Sequence, residues 1–304
     1  MKISKEGSLT MKLHRIIVVG LFIIIILSLV TGCTSDSRPS TGRIELQNGD
    51  VELAGNLFIP AGEGPFPAIV FVHGAGKYTS QDYKYLSFFF VNHGFATLTY
   101  DKRGVGASSD SYKRVGIESG EAVLEDLAGD AIAGVKFLKS NNQIDPNKIG
   151  FFGISQADWI APLAASKSSD IAFIVLYSGP VCTVGQEIYY SQTTGDDPGE
   201  QVEGISLEKA SNMARDYTGP HGFDPLHSLE AIDIPGLWMF GSQDRSIPIP
   251  LSIDNLDTLV AQQGKDFDHI VYPNADHSLR DVNTEQFFPA MSDAANWILE
   301  KFGD

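Results

Sequence analysis

The sequence predicts an α/β domain built on a mainly parallel, doubly wound sheet, opened by an antiparallel hairpin and interrupted by one long insertion. Three observations lead there. Short, almost continuous apolar runs recur along the chain, as expected of strands covered on both faces. Amphipathic helical stretches separate them. From residue 67 onward the two alternate, which is the pattern of parallel strands joined by helical crossovers.

Residues 41–60 alternate polar and apolar side chains around Asn48-Gly49-Asp50 and read as the hairpin. The apolar strands then fall at 68–72, 96–100, 149–153, 171–177, 237–240 and 269–272. Between them Leu124, Leu127, Ala128, Ala131, Val135 and Leu138 share one helical face, and 252–263 and 290–302 are further helices. The stretch 181–234 breaks the alternation, with turn-rich segments, short helical fragments and no clear strand. An insertion of that length is usually functional. It reads as a lid over the carboxyl ends of the strands; the competing reading is a peripheral decoration.

Composition sets outer limits. The 304 residues, 43% hydrophobic and 20% charged, suffice for a sizeable core. The net charge of −16 argues against a basic face for nucleic acid or anionic lipid. Residues 1–32 read as a lipoprotein-type signal peptide: basic residues, an apolar run at 16–30, then Val30-Thr31-Gly32-Cys33. That run is short for a bilayer span of about 20 residues. Cys33 would be the lipid-modified first residue and 33–41 a tether, leaving 42–304 as the folded domain outside the cytoplasm, held at the membrane. An uncleaved N-terminal anchor is the alternative. Met11, followed by Lys12, would itself open a well-proportioned signal. With Cys33 acylated, Cys182 is left as a free thiol, since the chain has two cysteines.

The chemistry centres on 148–157. A buried strand ends at Ser155 between small residues and helical sequence follows at once, the form of a turn that exposes a serine nucleophile. A free serine hydroxyl is a poor nucleophile and needs a base, commonly a histidine steered by a carboxylate. His277 follows the last strand in a polar loop at the correct sheet edge. His73 sits in a glycine loop, His93 at a helix C-terminus, His221 and His227 in the insertion, and His269 at a strand start. Asp244 ends the strand at 237–240 at the same edge as Ser155. Asp276 adjoins His277 too closely to point at it, and Asp233 precedes its strand. The oxyanion needs N–H donors: the amide of Gln156, and that of Ala75 or Gly76 in Val72-His73-Gly74-Ala75-Gly76, with Ala75 preferred. No histidine–carboxylate spacing resembles a metal site.

Taken together, the His73-Gly74-Ala75-Gly76 loop, the 101–108 segment Asp-Lys-Arg-Gly-Val-Gly-Ala-Ser, the Ser155 turn, Gly241-Ser242-Gln243-Asp244 and Asp276-His277-Ser278 resemble the α/β-hydrolase superfamily, nearest to secreted and lipoprotein carboxylesterases of prokaryotes. The resemblance covers 67–302. It implies the α/β-hydrolase fold, a serine hydrolase acting on small ester substrates with Ser155, Asp244 and His277 as its triad, no cofactor, and structural roles for Asp101 and Arg103. Peptide or acyl-thioester hydrolysis on the same scaffold, or a binding protein without catalysis, are its rivals. Serine at the turn, rather than aspartate, speaks against dehalogenase chemistry.

Two positions depart from the family pattern: Ala157 and Asp158 stand where glycines are usual. Alanine is the smallest replacement. Asp158 reads either as a first-turn acid favoured by the helix dipole, or as a charge beside the oxyanion that weakens catalysis or favours a cationic substrate.

Overall fold

A computed structural model describes residues 38–196 and 204–303. The stretch 1–32 read as a signal peptide, Cys33 read as the lipid-modified residue, and residues 197–203 of the insertion lie outside the described residues. The unit Pro39–Asp304 carries the whole sheet.

The hairpin forms from β1 (Ser40–Asn48) and β2 (Val51–Ile59), with Gly49 taking the positive φ of the two-residue turn. Its first two residues, Ser40 and Thr41, pair with Ile59 and Phe58, so pairing reaches into the stretch read as tether. The remaining strands are β3 (Phe66–Val72), β4 (Ala96–Tyr100), β5 (Ile144–Ile154), β6 (Phe173–Tyr177), β7 (Gly236–Gly241) and β8 (Phe267–Tyr272). Their order in the sheet is β1-β2-β4-β3-β5-β6-β7-β8. β1–β2 and β2–β4 pair antiparallel, and every later pair is parallel.

Side-chain alternation along the central strands separates two cores. Val70, Phe151, Ile174 and Trp238 face α2 (Gly120–Lys139), α3 (Ala157–Lys167) and α7 (Ile249–Gln263). Ile69, Phe152, Val175 and Met239 face the other way, onto α1 (Lys84–Asn92) and α8 (Ala290–Phe302). Both faces being covered is why these strands read as unbroken apolar runs. β5 extends upstream to Ile144 through polar residues with no apolar signature, so sequence patterning found only its buried half.

Among the described residues the insertion contains no strand and three helices joined by irregular segments: α4 (Val184–Thr194), α5 (Leu207–Arg215) and α6 (Leu226–Ala231). Thr183 starts α4 with a capping box, accepting from the Gln186 amide while the Gln186 side chain receives the Thr183 amide. None of the described helices is long and apolar enough to cross a membrane.

Candidate active site

Parallel register brings Ile154, Tyr177, Gly241 and Tyr272 to one edge of the sheet, where ligands bind in doubly wound folds. Ser155 follows β5 directly with a φ of 55°. A tight strand-to-helix turn holds the serine there, at a cost of about 1–2 kcal/mol for the left-handed conformation. The turn is pinned by the Ser155 amide donating to Tyr177 O at 3.0 Å and the Asp158 amide to Ser155 O at 3.0 Å.

The acid and histidine loops are zipped together by backbone. The Ser242 amide donates to Tyr272 O (3.0 Å), the Gln243 amide to Ala275 O (2.8 Å), and the Asn274 amide to Ser242 Oγ (2.9 Å). Gly241 has to be glycine, because a Cβ there would lie 2.4 Å from Asp276 O. Asp244 is thereby brought beside His277: its Oδ2 accepts from His277 Nδ1 at 2.8 Å. Its Oδ1 takes the amides of Ser246 and Ile247 at 2.8 and 3.0 Å, and the residue is 1% exposed. Burial works against the His277 imidazolium, yet the charge and hydrogen bond of Asp244 outweigh it and raise the pKa above the ordinary 6.5. With Nδ1 committed, Nε2 is the nitrogen left for another proton.

Ser155 and His277 line one cleft of ≈ 970 Å³ with Gly74, Ala75 and Gln156. Among the described residues the Ser155 hydroxyl makes no hydrogen bond; such bonds commonly tighten only with substrate in place. Neither the Ala75 nor the Gln156 amide finds an acceptor among the described residues, so both N–H groups are available at the cleft. α4 forms one wall through Val184, Ile188 and Ser191. The same helix grips the acid loop: Tyr190 Oη donates to Asp244 O at 2.9 Å, and Thr194 and Arg245 bond each other's backbone carbonyls. Tyr78, Tyr83, Trp159 and Tyr177 supply aromatic surface that no motif announced.

Three of the other histidines are held by hydrogen bonds away from the Asp244 pair. His73 is buried, bonds Tyr100 O at 2.7 Å, and is kept neutral, its pKa pulled to about 3 by burial and then by Lys102. His93 bonds Phe89 O, and His221 bonds Thr183 Oγ1. Asp101 accepts the Ser80 and Ala107 amides, while Arg103 is locked onto Asp130.

The structure speaks against the second reading of Asp158, a charge at the cleft. It does sit in the first turn of α3, but it is 1% exposed and absent from the cleft lining. Burial drives its carboxyl well above the ordinary carboxylate range, which favours the neutral form. Sequence reasoning also passed over Lys102, which stands between Asp101 and Arg103 in the 101–108 segment and was given no role. Its side chain is buried against Gly74 and Gln156.

Residues 81–304 match the prolyl oligopeptidase family. The chain belongs to that family. This places it among the α/β-hydrolases, as the sheet order and the serine turn lead one to expect. Among curated proteins it is similar to the esterase EstD of Thermotoga maritima, at 26% identity over 220 residues, covering 64% of this chain and 50% of that protein. It is also similar to acyl-coenzyme A thioesterase 3 of Mus musculus, at 22% over 268 residues, covering 86% and 57%. The chain thus spans about half the length of these relatives. Among solved structures, an esterase of Pyrococcus furiosus superposes with a TM-score of 0.63 at 18% identity, covering 87% of this chain and 92% of that one. This prolyl oligopeptidase family member thus has the α/β-hydrolase fold, and an esterase and a thioesterase are among the proteins it resembles.

Proposed function

We propose that the protein is a serine hydrolase of carboxylic esters working through an acyl-enzyme. The observation that carries this is the 2.8 Å His277–Asp244 pair, whose histidine lines the same cleft as a serine held at a φ of 55°. In this reading Ser155 Oγ attacks the acyl carbon and its proton passes to His277 Nε2. Asp244 holds the ring by Nδ1 and stabilises the imidazolium. The oxyanion collects the amides of Ala75 and Gln156, typically a large share of the catalysis. His277 then protonates the leaving alcohol, and a water activated by the same imidazole releases the acid. A cleft of ≈ 970 Å³ with aromatic walls suits esters larger than acetates.

A fluorophosphonate probe should label the intact protein and fail on Ser155→Ala; no labelling of the intact protein would overturn the proposal. A panel of one acyl group presented as ester, amide and thioester ranks the substrates. Highest kcat/KM on the ester is expected, and a thioester or amide leading the panel would move the assignment to that class. We further propose lipid attachment at Cys33, which puts the hydrolase outside the cytoplasm at the membrane. Labelling by an alkyne fatty acid should vanish in Cys33→Ala, and persistence of the label would exclude that residue.

A further inference from the structure

Lys102 follows β4 by two residues and is 1% exposed. Among the described residues no carboxylate lies within 4.0 Å of its ammonium, which is a costly arrangement for a buried cation. Nζ instead donates to Gly74 O at 2.8 Å and reaches Gln156 Oε1 at 3.5 Å. It also sits 5.7 Å from the Tyr112 ring centroid. The Lys102 amide donates to Tyr78 O at 3.0 Å, fixing the root of the side chain.

The two atoms it touches belong to the two peptide segments that offer amides to the cleft. A trans peptide is planar, with C=O and N–H on opposite sides. Tying Gly74 O to Lys102 therefore turns the Ala75 N–H away from the lysine. Gln156 is held by its side chain while its own main-chain N–H stays without an acceptor among the described residues. We infer that Lys102 is a positioning residue that fixes both oxyanion donors at once, through the Gly74 carbonyl and the Gln156 side chain. The inference rests on the serine-hydrolase reading above.

Among the described residues the groups nearest the ammonium are uncharged or turned elsewhere, and the other cation at the Tyr112 ring is Lys77, its Nζ 5.6 Å from the centroid. His73 is neutral, Tyr112 presents its ring, and the Asp101 carboxylate is turned to the Ser80 and Ala107 amides. Burial lowers the Lys102 pKa to about 8, so the cation is present at neutral pH and is lost as pH rises past that value.

The test uses the full chain with p-nitrophenyl butyrate as substrate. Two inhibitors accompany it: a trifluoromethyl ketone, which forms the oxyanion, and the matching methyl ketone, which resembles the ground state. Lys102→Met should lower kcat by about 100-fold, the scale of one lost oxyanion donor, with KM little changed. It should weaken the trifluoromethyl ketone by the same factor and spare the methyl ketone. Lys102→Gln, whose amide can still donate to Gly74 O, should recover part of the loss. Wild-type kcat should fall as pH rises through about 8, and that limb should be missing in Lys102→Met. Equal weakening of both ketones, or wild-type kcat in Lys102→Met, overturns the inference. Should Lys102→Met fail to fold, the glutamine variant and the wild-type pH profile decide, a flat alkaline limb counting against it. Hydrolysis that survives Ser155→Ala sinks the serine reading and this inference with it. Hydrolysis lost there but intact in Lys102→Met sinks the inference alone.

Discussion

The carboxyl group of Asp158 is folded onto the bare α-carbon of Gly179: a Cβ built at Gly179 would lie 1.8 Å from Asp158 Cγ. Neither carboxyl oxygen has a hydrogen-bond partner among the described residues, and the Trp238 indole N–H nearby falls short of one. A neutral acid buried beneath the serine turn costs stability wherever the unfolded chain would ionise it.

The sign of that cost follows from the raised pKa. Below about pH 4 Asp158 is protonated in both states, and it contributes nothing to pH dependence. Above that, the unfolded chain loses the proton and the folded one keeps it, so stability falls by up to about 1.4 kcal/mol per pH unit until the folded group ionises. Asp158→Asn removes this slope. Denaturant melts of both proteins near pH 5 and near pH 8 should show the variant's advantage growing with pH. A constant difference would show that Asp158 is charged in the folded protein.

Ala157 fits the turn because Gly153 has no side chain. A Cβ on Gly153 would come 2.4 Å from Ala157 Cβ. Gly153→Ala should therefore cost about 1–3 kcal/mol by overpacking. Adding Ala157→Gly should return most of it, since the two sites share one contact. Additive losses in the double variant would mean the strain arises elsewhere.

Ser155 carries the strain of its left-handed backbone. Ser155→Gly should raise stability by about 1 kcal/mol, glycine accepting that φ freely, while esterase activity disappears. Urea midpoints and turnover on one ester measure both; a less stable glycine variant would mean that the turn is not strained.

His277 provides the acid limb of the rate profile. Its pKa is raised above 6.5, so kcat/KM should fall as pH drops through a midpoint above that value, where the base becomes protonated. Asp244→Asn should lower that midpoint and reduce kcat by about 10³- to 10⁴-fold. An unmoved midpoint would assign the limb to another group.

The fold was legible where both faces of a strand are buried. The apolar runs at 96–100 and 237–240 reappear as β4 and β7 within a residue at either end. The start of β5 was not: Ile144 is buried and pairs with Phe66, but the polar residues 145–148 that follow it break the apolar run. Ser155, Asp244 and His277 could be named from chain order and their position after strands. Asp158 could not be judged that way: a first-turn acid looks the same in sequence whether it faces water or Gly179. Lys102 was hidden for the same reason, its environment being built from residues 28 and 54 positions away along the chain.

The sequence by itself determined the order of strands and helices, the serine turn, and which side chains stand at the carboxyl edge of the sheet. These follow from local periodicity and turn chemistry. Only the tertiary structure decided what those groups touch and which way their charge is pushed: an Asp158 whose burial favours the neutral form, a His277 held by Asp244, a buried Lys102 behind the Gly74 carbonyl. Charge state is set by burial and by partners, and both come from segments far apart in the chain.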